Sequence, residues 1–360
     1  MTSRRAFLAT LLAAGAAPRL GWADVGQPAY LAAAREPDGG FALFGLDEAG
    51  ADMFRVPLPA RGHAGAAHPT RAEAVAFARR PGRFALVVDC ASGTVRHNLT
   101  PPEGLNFNGH GAFSPDGAVL FTSEQMADTS AGRIGMWDVR GGYRRIGAVD
   151  SGGIGPHDLR LMPDGLKLVI ANGGIATDPA TRDKLNLTTM RPNLTYLTLE
   201  GALAEQLDPL AGLHQNSIRH LALGADGTVG VAMQWQGEDG AAPPLIALHR
   251  PGRAALEPAE APLEDELTMK GYAGSIAISG AGSEVAITSP KGGRIHRFAV
   301  EDGAFLGHVA RADVCGLAPA RTGFVASDGH GGLIALEGDR TRPLARQDRN
   351  WDNHLVALRG

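Results

Sequence analysis

Gly109-His110-Gly111-Ala112-Phe113-Ser114-Pro115-Asp116-Gly117, followed by the apolar run Ala118-Val119-Leu120-Phe121 and later by Gly132-Arg133-Ile134-Gly135-Met136-Trp137-Asp138, reads as strand, tight turn, strand, turn, strand. Proline presets the turn dihedral, aspartate accepts from the backbone beyond it, and glycine takes the left-handed corner, so the apolar runs on either side are paired strands. The same unit returns at Gly155-Pro156-His157-Asp158 through Pro163-Asp164-Gly165, Leu166 to Ala171 and Asn193 to Leu199. Further copies start at Ser217, Gly274 and Val314, and an earlier one at Gly62-His63 runs through Ala74 to Phe77, Phe84 to Val88 and Gly93 to Arg96. That makes six units.

The remaining pieces complete a seventh. Ala29 to Ala33 and Phe41 to Phe44 look like second and third strands lacking a first, and Trp351 to Leu358 looks like a first strand lacking followers. A repeat of about 48 residues with four strands per unit indicates an all-β, seven-bladed β-propeller of the WD40-like kind, closed by N- and C-terminal strands in one blade. Closure removes the open sheet edge that would otherwise template aggregation. One interval is long: Ile175 to Arg191 is too polar for a core strand and is expected to be a loop folded over one face.

The chain has 360 residues, 44% hydrophobic and 20% charged, enough to bury the core of one large all-β domain. Its net charge of −4 contains no block of like charge, so no nucleic acid is expected as a partner. Ser3-Arg4-Arg5-Ala6-Phe7-Leu8, then a small-residue apolar run to Ala17, has the pattern of a twin-arginine export signal, with Gly21-Trp22-Ala23 as a processing site before Asp24. The expected organisation is a signal peptide over 1–23 and a single propeller over 24–360, in the periplasm. The leader is shorter and less apolar than the roughly 20 residues a lasting span needs, so no stable membrane span is expected after processing. The two cysteines, Cys90 and Cys315, could pair in that compartment, ligate, or stay as buried thiols.

First strands line the channel of a propeller, so the residues that open them converge from different blades. Those residues are His63, His110, His157, His220 and His354, five of the twelve histidines; the other two units offer Tyr272 and the pair Asp313 and Cys315. A ring of imidazoles is costly to bury and fills space poorly, whereas neutral imidazoles suit copper, iron or zinc. The expectation is a transition-metal site, copper or iron, with a water-filled polar channel as the competing reading. The spacing to the turn proline differs by one residue: His110 lies five before Pro115, but His157 six before Pro163 and His63 six before Pro69. A one-residue slip reverses a strand side chain, so either loop geometry compensates or the five do not all converge. Asp158 either orients a ligand or caps a turn. His68 reads as a turn residue, His97, His249 and His296 as members of third strands, and His214, Gln215 and Asn216 as polar loop. No nucleophile elbow, zinc-protease motif, phosphate loop or haem-attachment motif occurs.

Through Ser3 to Leu8, Gly109 to Gly117, Gly155 to Asp158, Lys184 to Leu194, Ser217 to Leu221 and Trp351 to Leu355, the chain resembles the uncharacterised twin-arginine-exported periplasmic propellers of Gram-negative bacteria, often encoded near imelysin-type iron-regulated lipoproteins and di-haem-peroxidase-like proteins. The resemblance implies a periplasmic role connected with iron uptake or redox-metal handling, with iron-uptake or di-haem peroxidase-like proteins as partners, and carries no established reaction. A looser similarity is to seven-bladed lactonases, which would make His110, His157 and Arg219 position a ring-opening water, although no set of carboxylates for a Ca²⁺-dependent version is evident. A third reading is a metal-free interaction module that docks a partner through rim loops such as Ile175 to Arg191.

Overall fold

The computed structural model describes residues 20–358 except 179, 210 and 211. The expected leader therefore lies largely outside the described residues; at the expected processing site, Trp22 opens a short 3-10 turn and donates its indole N–H to the His68 carbonyl at 2.8 Å.

Seven four-stranded antiparallel sheets form seven blades. Blade I joins the inner strand Asn350–Ala357 to Tyr30–Arg35, Phe41–Leu46 and Asp52–Leu58, so both termini close the ring as the leftover strands predict. Blades II to VII follow in chain order, with inner strands Gly62–Ala67, Leu105–Phe113, Pro156–Leu161, Asn216–Leu223, Ser275–Ile278 and Val314–Pro319. The first-to-second strand corners recur: Gly117, Gly165 and Gly227 take positive φ, and their N–H groups donate to Ser114, Met162 and Gly224 at 2.8–2.9 Å. In each corner the preceding aspartate accepts from the backbone beyond the glycine, which is why the motif ends one strand and starts the next.

Seven clusters of buried apolar side chains lie between blades rather than within them. Phe77 and Val75 of blade II pack with Phe107 and Trp137 of blade III, and Phe44 and Trp351 of blade I with Cys315 and Leu333 of blade VII. A flat four-stranded sheet exposes two faces, and only stacking on both neighbours buries them, so the ring is stable as a whole. One exception to apolar filling is in blade III, where Glu124, fully buried, receives Arg145 through both guanidinium nitrogens at 2.7 and 2.8 Å and Thr122 Oγ1 at 2.7 Å.

The long insertion lies between Lys167–Asn172 and Asn193–Thr198 of blade IV, as expected for a loop. It folds back on itself through a Thr177–Lys184 bridge and is tied to blade III by Thr177 N–H to Ser130 Oγ at 3.0 Å. His249 and His296 are in third strands, but His97 is not: it lies in the outermost strand of blade II, Thr94–Leu99. The third strand there is Ala85–Asp89; counting strands from Ala74 passes over the first strand, Gly62–Ala67, whose Gly-His-Ala-Gly-Ala-Ala carries little strand signal.

Candidate metal centre

The inner strands of blades I to V each carry one of the five histidines and each breaks its pairing register beside it. Pairing slips between Gly62 and Gly65, Phe107 and Gly111, Pro156 and Asp158, and Ile218 and His220, and between Trp351 and Leu355 in blade I. A β-bulge inserts a residue and re-aims the side chains around it, which removes the one-residue conflict in spacing to the turn proline. All five imidazoles then converge, with ring centroids of neighbouring pairs 4.5–5.7 Å apart. Each is less than a tenth exposed. The inner strand of blade VI has neither a slip nor a histidine, while that of blade VII slips between Val314 and Leu317 without carrying one.

Gly109 makes the close approach possible. Its φ is +101°, and a Cβ there would lie 2.5 Å from His63 Cδ2. Gly109→Ala is expected to cost about 1–3 kcal/mol from the backbone strain alone and to displace His63; a urea melt unchanged from wild type would show that the approach is not needed.

Ligand atoms of His63, His110 and His354 lie within 4.8 Å of one another, as do those of His110, His157 and His220. His110 Nδ1 lies 3.0 Å from the Asp158 carboxylate, so its Nε2, buried and without a hydrogen-bond partner, is the nitrogen left to face the cluster. One lone pair serves one ion, so the two groups, which share His110, cannot each hold an ion through that nitrogen at once. His63 Nε2 and His354 Nε2 are 3.3 Å apart. Two nitrogens bound at about 2.05 Å to one tetrahedral ion stand about 3.3 Å apart, so this edge fits a metal without adjustment.

Electrostatics favour the ligand form. Burial, then the neighbouring imidazoles, hold His63, His157, His220 and His354 well below the ordinary imidazole value, leaving neutral rings with lone pairs. Asp158, fully buried, is the local counter-charge: burial opposes its ionisation, but Arg160 and His110 outweigh that and hold it well below the usual carboxylate range. Its other oxygen accepts the Leu221 N–H at 3.0 Å, which fixes the carboxylate that fixes His110. Asp158 therefore orients a candidate ligand and ties blade IV to blade V.

The other expected participants are elsewhere. Cys315 turns its sulfur to the Ser327 and Trp351 carbonyls, and burial pushes its thiol up to about 12; Cys90 is also a free, buried thiol at about 12, for the same reason. Tyr272 lies under the Lys291 ammonium, 4.9 Å from its ring centroid. His68 caps its turn, Nδ1 accepting from the Thr70 and Arg71 N–H groups. Arg219, His110 and His157 do come together, with Arg219 Nη1 3.5 Å from His157 Nδ1. Sequence reasoning missed a cavity of about 180 Å³ against blade III, lined by Arg79, Arg80, Asn108, Gln125 and, from the insertion, Arg182 and Lys184. Its one signal was the cluster of basic residues in Arg79-Arg80-Pro81 and in the polar insertion.

A family model described as "Protein of unknown function (DUF1513)" matches residues 56–358. No curated protein matches. Among solved structures, a chain of the Kuenenia stuttgartiensis hydrazine synthase aligns at a TM-score of 0.57 with 14% identity, covering 89% of this chain and 96% of that chain. A chain of a mitotic checkpoint complex aligns at a TM-score of 0.55 with 12% identity, covering 80% of this chain and 79% of that chain. At such identities the likeness is one of fold.

Proposed function

The chain belongs to the family of proteins of unknown function DUF1513, and within that fold we propose that it binds one transition-metal ion, copper or iron, at the axial histidines and serves redox-metal handling in the periplasm. The observation that carries the reading is the convergence of five buried histidines in two groups of three, each within ligand range and both including His110. The all-nitrogen donor set suits copper and iron over hard cations. The Arg4-Arg5 leader supports export, and iron-uptake or di-haem peroxidase-like proteins are the partners such a role calls for.

Metal analysis of protein exported natively, with His110→Ala and His157→Ala purified in parallel and their folding checked by circular dichroism, tests this. Near-stoichiometric copper or iron is expected in the wild type, lost in folded His110→Ala because both ligand groups need that nitrogen. Protein that stays metal-free after reconstitution with Cu²⁺ and Fe²⁺ would sink the reading. Asp158→Asn keeps the shape but removes the counter-charge, and is expected to weaken the metal about 10- to 100-fold in a competition titration; unchanged affinity would reduce Asp158 to a strand tie.

A further inference from the structure

Cations gather between the histidine cluster and the insertion without acids to balance them. Arg79, Arg80, Arg182 and Lys184 line one cavity. Its single acid is Asp178, whose Oδ1 already accepts the Ala180 and Thr181 N–H groups. Arg219, at the bulge of blade V, is 4% exposed. Its Nε has no hydrogen-bond partner, and its one polar contact is the 3.5 Å approach to His157. Asn108 of the cavity lining donates to the Pro156 carbonyl at 2.9 Å, next to the His157 that Arg219 approaches, and Arg80 and Lys184 act electrostatically on Arg219. Among the described residues, none of these five cations has a carboxylate within ion-pair distance; Arg79, Arg182 and Lys184 are exposed, Lys184 Nζ donating to Gln236 Oε1 at 2.5 Å, and Arg80 is half-buried, so the uncompensated buried charge is that of Arg219, whereas the other buried arginine, Arg297, pairs with Glu284.

A buried cation left unpaired is costly, and a cleft lined by one sign of charge concentrates the opposite sign. Guanidinium forks match carboxylate and phosphate oxygens in pairs. Gln125 adds a selective feature: it lines the same cavity, is 7% exposed, and its Oε1 has no donor, so an occupant that brings a donor such as an O–H gains a partner there. We propose that the cavity beside Arg219 binds a small oxyanion that carries a hydroxyl, of the class of hydrogen phosphate or a hydroxy-dicarboxylate. The anion balances the guanidinium of Arg219 next to His157. This site does not rest on the metal reading, although a cation in the histidine cluster would strengthen the attraction.

The test is calorimetric titration of chelator-treated, metal-free protein with phosphate, sulfate, malate and succinate at matched ionic strength. Saturable binding is expected for phosphate or malate, at least about tenfold tighter than for the partner anion lacking the hydroxyl, sulfate or succinate respectively; the arm that binds identifies the source. Arg80→Gln, at the partly exposed wall of the cavity, is expected to fold and to weaken binding at least about tenfold. Arg219→Met is expected to raise the Tm of the anion-free protein, because it removes an unpaired buried charge, and to abolish the Tm increase the anion gives the wild type. A purely structural Arg219 would give the opposite sign. No saturable binding by any of the four anions, or equal binding by wild type and Arg80→Gln, overturns the proposal. Because every titration is done without metal, a protein that binds no metal can still pass, and a metal-binding protein can still fail.

Discussion

The metal-free protein is expected to lose about 4 kcal/mol of stability between pH 7 and pH 5.5, read as a fall in the urea midpoint. His63, His157, His220 and His354 are held neutral by burial in the folded state, and burial likewise lowers His296 to about 4. In the unfolded chain each takes up a proton near pH 6.5. The unfolded state therefore binds more protons over this window, stability is fully present above about pH 6.5, and it falls as pH drops through that value. Five such groups lose about 6 kcal/mol in total by pH 5.5. Glu266 acts in the opposite direction: burial raises it to about 7, so it favours the folded state most below its unfolded value and loses that as pH rises. One group recovers about 1.6 kcal/mol against five, so the histidines prevail. Total stabilities of about 5–15 kcal/mol make this a large fraction. A midpoint that stays level or rises on acidification would mean that the imidazoles are charged or solvated in the folded state.

Glu124→Ala is expected to cost about 3–5 kcal/mol, because it leaves Arg145 and Thr122 facing a void at the heart of blade III. The carboxylate is fully buried and holds both guanidinium nitrogens of Arg145, while Thr122 Oγ1 donates to it and accepts the Trp137 indole N–H at 3.0 Å. Arg145 in turn covers the Trp137 ring at 5.2 Å. Gly135 lies against the carboxylate with no room for a Cβ, so the network cannot collapse to refill the space. Replacing Glu124 and Arg145 together by methionine is expected to recover most of the loss, since a buried pair is often matched by apolar side chains of similar volume. Denaturation of the two single variants and the double variant measures the coupling. A Glu124→Ala protein within about 1 kcal/mol of wild type would mean that water replaces the carboxylate.

Most of the architecture could be read along the chain because propeller blades are local. The Pro115-Asp116-Gly117 and Pro163-Asp164-Gly165 corners mark one blade each, and the unpaired runs at Tyr30 and Trp351 announce closure. His97 was misplaced by one strand because the first strand of its blade, Gly62–Ala67, is built of Gly and Ala and carries little strand signal. The five histidines were found by their common place in the repeat, but their direction was not. Side chains alternate with period two along a strand, and a bulge, which leaves no mark in a single sequence, resets that alternation.

The sequence by itself determined the blade count, the closure by both ends, the corner turns and the identity of the axial histidines, since each follows from residues adjacent in the chain. Only the tertiary structure decided that all five rings meet, that Asp158 holds His110 across a blade boundary, and that Arg80 and Lys184 act electrostatically on the buried Arg219. Those relations join residues of different blades, and contacts between stacked sheets follow from how each strand is bulged and twisted, which no local period encodes.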